Sequence, residues 1–189
     1  VPSVRFAVEQ CLRDLSAHGS KELFPSEFTL GRAGIPINGL VWMGDKATMR
    51  ERIRGQIDAG NRCMKMKMGA IATADELDLL AEVRRTYSAQ ELTLRVDANG
   101  AFSPGNVMPV LEQLARLEVQ SIEQPVAPGL YEVMSELCAC SPVPIALDED
   151  LIGHNITTAK QDLLDHVRPQ HIVIKPSLVG GWAAARECI

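Results

Sequence analysis

Residues 63–69, Cys-Met-Lys-Met-Lys-Met-Gly, alternate between two kinds of side chain and stop at a glycine. Side chains of a β-strand point to opposite faces in turn, so Met64, Met66 and Met68 share one face and Lys65 and Lys67 share the other. A strand of this kind predicts methionines packed beneath helices as core filler and two ammonium groups facing an interior near its C-terminal end. Four later apolar segments end in the same manner: LTLRVDANG at Asp97, VQSIEQP at Glu123, PIALDED at Asp148 and HIVIKPS at Lys175. From Lys67 onward the steps between these charged residues are 30, 26, 25 and 27 residues, close to the length of one strand with its crossover helix, about 30 residues.

The intervening sequence reads as helices. Asp45 is a candidate N-cap for a helix ending at Gly60, a second helix runs over 73–87, and Ser103-Pro104 opens a third in cap-then-proline order. Two more are expected over 129–138 and 156–167, and a sixth after Gly180-Gly181. Strands are expected over 36–42, 63–68, 92–97, 119–123, 144–148 and 171–175. Strand and helix in strict alternation specify parallel pairing. An open doubly wound sheet places function at one switch point, whereas here five consecutive strand ends carry charge. The fold class expected is therefore α/β, a (β/α)8 TIM barrel whose active face is the C-terminal end of the strands. No G-x-G-x-x-G follows the first strand, which argues against dinucleotide binding.

Ahead of the first strand, Val4, Ala7, Val8, Cys11, Leu12 and Leu15 fall on one face of a helix that Ser3 would cap and His18-Gly19 would end. Residues 1–30 are read as the end of an N-terminal capping region with its connector, and residues 31–189 as the barrel domain, present only in part at about strands 1–6. The absence of an initiator Met at Val1 and of a stop signal in the Ala-rich run before Ile189 support that expectation.

Composition narrows the partners. A net charge of −5 and a pI near 5.4, without a Lys/Arg run, disfavour nucleic acid and anionic membrane. No apolar stretch approaches the roughly 18 residues of a membrane span. The five cysteines (Cys11, Cys63, Cys138, Cys140 and Cys188) show no metal-type spacing and read as buried, reduced thiols of a cytoplasmic protein. His18, His154, His166 and His171 have no partner pattern, and Trp42 and Trp182 are read as packing residues.

Each charged position also has a plain structural explanation. A strand-end lysine is commonly a solvated edge charge, Asp97-Ala98-Asn99-Gly100 a turn, Glu123 a strand stop before Gln124-Pro125, and Asp148-Glu149-Asp150 a solvated loop or cap cluster. Taken together, those explanations require five coincidences of spacing, parity and strand end. A shared site requires none.

Lys65-x-Lys67, Asp97 in RVDAN, Glu123 in IEQP, Asp148 in ALDE and Lys175 in KPSLVGG resemble the enolase superfamily in its muconate lactonizing subgroup. Within it, GLVWMGDKATMRERI, KMKMGA and KPSLVGG are most similar to the o-succinylbenzoate synthase family of menaquinone biosynthesis. The resemblance implies Mg²⁺, with Mn²⁺ as an alternative, held by Asp97, Glu123 and Asp148, since a hard cation prefers oxygen ligands. It implies Lys67 as the base that takes a proton α to a substrate carboxylate, and Lys175 as a protonated stabiliser of the enediolate. The charge of Lys65, two residues from Lys67 on the same face, favours a neutral amine at Lys67; a lysine base with Mg²⁺ is an arrangement already described for this superfamily in general. Asn99 and Glu149 are expected to orient the ligands or Lys65.

The implied reaction is dehydration of 2-succinyl-6-hydroxy-2,4-cyclohexadiene-1-carboxylate, a small-molecule carboxylate, to 2-succinylbenzoate. N-succinylamino acid racemisation and dipeptide epimerisation need the same two lysines and stand as alternatives. A reading of another class is a non-catalytic fragment, since six strands leave a barrel's edges unpaired.

Overall fold

The computed structural model describes residues 1–22, 24–153 and 157–189. In chain order its elements are α1 (Pro2–Ser16), β1 (Gly39–Val41), α2 (Lys46–Asp58), β2 (Cys63–Lys67), α3 (Thr73–Thr86), β3 (Thr93–Asp97), α4 (Val107–Arg116), β4 (Ser121–Glu123), α5 (Tyr131–Cys140), β5 (Ile145–Leu147), α6 (Thr157–Val167), β6 (His171–Ile172), α7 (Pro176–Val179) and α8 (Trp182–Arg186). They divide into two compact units, one of residues 37–150 and 164–173, the other of residues 1–36, 151–163 and 174–189.

The first unit holds a six-stranded sheet in the order β1-β2-β3-β4-β5-β6, every neighbouring pair parallel. That is the strand order of successive βα units in a barrel. Asp45 caps α2 by accepting from Thr48 N at 2.7 Å, and α3 carries Asp75 and Glu76 in its first turn and Arg84 and Arg85 in its last, matching the helix dipole at both ends. Arg84 also ties strand starts to helix ends, donating to the carbonyls of Leu92 and Leu117 at 2.8 Å. Met64, Met66 and Met68 are buried with Leu79, Leu80, Leu94, Leu111, Leu114 and Ile122, so the alternation read in residues 63–69 is the alternation of the folded strand.

In the second unit α1 lies against α7. Trp182 receives the rings of Phe6 and Phe24 edge-on at centroid distances of 5.3 and 5.1 Å, and Arg13 stands 5.0 Å over Phe24. The Glu9 carboxylate accepts from Trp182 N at 2.5 Å. Trp182 is thus the packing residue expected of it.

Several local expectations are corrected. The α1 face that packs is the one bearing Phe6 and Glu9; Val4, Val8, Leu12 and Leu15 are exposed, because the aromatic rings and the Glu9 hydrogen bond decide which side of the helix is held. Ser3 lies inside α1, whose N-cap is Val1 with Pro2 in the first turn. Ser103-Pro104 forms a turn closed by Asn106 Oδ1 accepting from Ser103 N, and α4 begins only at Val107. Cys138 and Cys188 are buried, but Cys11 and Cys140 are exposed and Cys63 is intermediate. Burial pushes the Cys138 thiol up to about 11, which keeps it protonated. His154 and Ile156, the expected first residue of the fifth barrel helix, lie outside the described residues.

Candidate active site

Register decides how the charged side chains meet. Lys67 pairs with Asp97 and Asp97 with Glu123, while Lys65, Arg95 and Ser121 form the row beneath. Neighbouring strands are about 4.8 Å apart, within reach of a lysine side chain. Glu123 pairs with Ala146, so Asp148 stands two residues further along its strand and on the same face. A glutamate on β4 has one more methylene than an aspartate, and its carboxyl hydrogen-bonds that of Asp148.

Lys67 Nζ donates to Asp97 Oδ2 at 2.5 Å and to Asn99 Oδ1 at 2.7 Å. Lys65 Nζ donates to Glu123 Oε2 at 2.7 Å and to Asp97 Oδ2 at 3.3 Å. Asn99 Nδ2 donates onward to Glu149 Oε1 at 2.8 Å. Asn99 therefore contacts Lys67 rather than Lys65, since after Asp97 the chain turns through a left-handed residue at Asn99, φ 45°. Asp97, Glu123 and Asp148 are all at most 5 % exposed, which excludes the solvated-loop explanation for the acidic residues of this face.

Burial pushes the Glu123 carboxyl up to about 7, the Asp148 hydrogen bond and the Asp97 charge acting in the same direction and Lys65 against them. Asp97 is also buried, but its hydrogen bond from Lys67 and the charges of Lys65 and Lys67 outweigh burial and hold it below the ordinary aspartate range. For Lys65, burial opposes the charge, yet Glu123 and Asp97 prevail and raise it above the ordinary lysine range. Two carboxyl groups at one level thus face two ammonium groups, with Asp97 held in its charged form and Glu123 shifted toward the protonated one.

Beneath this row a cavity of about 320 Å³ is lined in part by Lys65, Arg95, Ser121, Glu123, Ala146 and His171. Gln120 joins Arg95, at 2.7 Å, to His171, at 3.4 Å.

Lys175 departs from its expected position. Strand β6 ends at Ile172, and Lys175 is the extended N-cap of α7, φ −113°; Pro176, which cannot donate to a strand, starts that helix. Trp42 is corrected as well. It is 56 % exposed and its ring lies 5.6 Å from Lys67 Nζ, since it follows β1 on the parity of Leu40, the register partner of Lys65. Sequence reasoning also missed Gln124 and Asp150, both buried; a polar side chain set between the strand-end Glu123 and Pro125 is the signal that marks the first.

Asp97, Glu123 and Asp148 offer oxygen atoms only, the donor chemistry of a hard divalent cation. Among the described residues no three His, Cys, Asp or Glu side chains surround one point as a metal cluster; here Asp97 and Glu123 engage the two lysines. The donor set fits Mg²⁺ in type. Among the described residues no helix is long and apolar enough to cross a membrane.

Residues 48–189 match the family model for the enolase C-terminal domain-like fold. The chain is 47 % identical over 188 residues to an o-succinylbenzoate synthase of Desulfotalea psychrophila, covering 100 % of this chain and 51 % of that protein. A crystal structure of MenC from Desulfotalea psychrophila superposes with a TM-score of 0.90 at 45 % identity, covering 99 % of this chain and 51 % of the other. A dipeptide epimerase from Cytophaga hutchinsonii, complexed with Mg and the dipeptide D-Ala-L-Val, superposes with a TM-score of 0.81 at 22 % identity, over 99 % of this chain and 50 % of that one. The chain spans about half the length of the curated relatives it matches.

Proposed function

The chain belongs to the enolase C-terminal domain-like family, and from that premise we propose that it carries the acid-base machinery of a carbon-oxygen lyase. The reaction is Mg²⁺-dependent dehydration of 2-succinyl-6-hydroxy-2,4-cyclohexadiene-1-carboxylate to 2-succinylbenzoate, a step of menaquinone biosynthesis. The observation that carries this reading is the pair of lysines on one strand face, hydrogen-bonded to carboxylates at the two following strand ends. The 47 % identical synthase supports dehydration over epimerisation. Residues 1–30 are read as the end of a capping region with its connector, and residues 31–189 as barrel.

In this reading Asp97, Glu123 and Asp148 hold the ion, which when bound neutralises charge gathering on the substrate carboxylate. Lys67 takes the proton from the carbon α to that carboxylate, and the C–H electron pair passes into an enediolate. That pair then forms the new ring double bond as the β C–O bond breaks. Lys67 returns its proton to the departing hydroxyl, releasing one water and restoring the base. Lys65 stays charged and opposes protonation of Glu123 and Asp97. Asn99 accepts from Lys67, with Glu149 holding its other end, and so orients the base. The role of Lys175, a protonated group stabilising the enediolate, rests on its motif KPSLVGG.

The test is formation of 2-succinylbenzoate by the protein with Mg²⁺, alongside exchange of the α-proton with solvent in wild type and Lys67→Ala. Dehydration in wild type and loss of exchange in the variant are expected. Racemisation of N-succinylamino acids without dehydration overturns the substrate, and undiminished exchange in the variant removes Lys67 as the base.

A further inference from the structure

Gln124 directly follows Glu123, one residue past the end of β4. It is fully buried and has φ 39°, in the left-handed region that a residue with a side chain rarely occupies. Its carboxamide is used at both ends. Oε1 accepts from Asp148 N at 3.2 Å and from Asp150 N at 3.3 Å. Nε2 donates to Asp150 Oδ2 at 2.7 Å and to Val126 O at 3.1 Å, while the other oxygen of Asp150 accepts from Gly129 N at 2.7 Å.

The backbone of the same residue completes the pattern. Gln124 N donates to Ala146 O at 2.9 Å, and Gln124 O accepts from Gly100 N at 2.7 Å. One residue therefore bonds the loop after Asp97, follows Glu123 directly, and holds the main chain at Asp148. Its backbone conformation is what lets both peptide groups and the side chain reach three strand ends.

We propose that Gln124 is a positioning residue that, with Asp150, sets the mutual placement of Asp97, Glu123 and Asp148 and so their capacity to bind a divalent cation. This rests on the assignment of those three carboxylates as the Mg²⁺ ligands, not on the identity of the substrate. Gln124 touches neither substrate nor ion. It acts through the Asp148 and Asp150 amides and the Gly100 turn.

The experiment is calorimetric titration of Mg²⁺, without substrate, into wild type, Gln124→Ala, Gln124→Glu, Asp150→Asn and the double variant Gln124→Glu/Asp150→Asn, each with a thermal melt in EDTA. Gln124→Ala and Gln124→Glu are expected to weaken Mg²⁺ binding by about 10–100-fold, the usual effect of losing a residue that orients metal ligands. In the double variant donor and acceptor change places, the new carboxamide at position 150 donating to the new carboxylate at position 124. Every side-chain bond of the pair is then restored except the one to Val126 O. The double variant is expected to regain at least about tenfold of the affinity lost in Gln124→Glu. Rescue in the double variant carries the proposal even where Gln124→Ala fails to fold, because affinity is compared between Gln124→Glu and the double variant, each shown to be folded by its melt.

Affinity in folded Gln124→Ala within about twofold of wild type overturns the proposal. So does a double variant that binds no better than Gln124→Glu or does not fold, and so does a wild type that takes up no Mg²⁺. If Mg²⁺ binding follows the expected order but no 2-succinylbenzoate forms, the substrate assignment fails and the role of Gln124 stands.

Discussion

Lys67 and Asn99 are joined by a 2.7 Å hydrogen bond from the ammonium to the side-chain carbonyl, and Asn99 reaches it from a left-handed backbone at φ 45°. Asparagine enters that region more readily than most residues. The other end of its carboxamide donates to Glu149, so β2, β3 and the segment after β5 are linked at one end of the sheet.

Asn99→Gly separates the side chain from the backbone, because glycine keeps the left-handed turn without strain. Turnover is expected to fall about 10–100-fold as Lys67 loses its orienting partner. Urea unfolding is expected to stay within about 0.5 kcal/mol of wild type, as for exposed substitutions. Unchanged turnover would remove Asn99 from the site.

Gly69 closes the strand that bears both lysines, with φ 95° and a position at which a Cβ would overlap the Ala101 Cβ. Gly69→Ala is expected to destabilise by about 1–3 kcal/mol through backbone strain alone, with overlap adding to it. In a double-mutant cycle with Ala101→Gly the overlap is relieved and the strain persists, so partial recovery is expected. Full recovery would show that the left-handed conformation costs nothing at this position.

Met66 is fully buried on the helix-facing side of β2. Met66→Ala is expected to cost about 2–5 kcal/mol in chemical denaturation, while Met66→Leu, which conserves volume, is expected to cost less than about 1.5 kcal/mol. Equal losses would contradict tight packing on that face.

Glu76 holds the loop after Lys67, its Oε1 accepting from Gly69 N at 2.8 Å and Ala70 N at 3.2 Å. Burial raises its carboxyl above the ordinary 4.5, with the bonds from Gly69 and Ala70 opposing. The folded state thus binds the proton more tightly than the unfolded state. The stability difference is absent below the ordinary value and becomes unfavourable to folding as pH rises through the folded one. Wild type is therefore expected to lose stability relative to Glu76→Gln as pH rises from about 4.5 toward neutrality, read from melting curves in EDTA. A constant difference across that range would contradict the burial argument.

Much of the site was legible because a strand's side-chain period is a local property. Cys63–Lys67 put both lysines on one face from their own alternation, and the Asp45 cap marks the start of α2 through a contact three residues away. Other features depended on competition between distant groups. The exposed face of α1 is the more apolar one, since Trp182, Phe24 and Glu9 hold the opposite side. Lys175 left its strand because Pro176 starts a helix there.

The sequence by itself determined the order of six strands and the face on which Lys65, Lys67, Asp97 and Glu123 stand, since alternation and spacing are written along the chain. The tertiary structure alone decided which ammonium meets which carboxylate, that Asn99 serves Lys67, and that Gln124 clasps Asp150. Those contacts join residues 26 to 58 positions apart, and their geometry is set by the register between strands, which no single strand encodes.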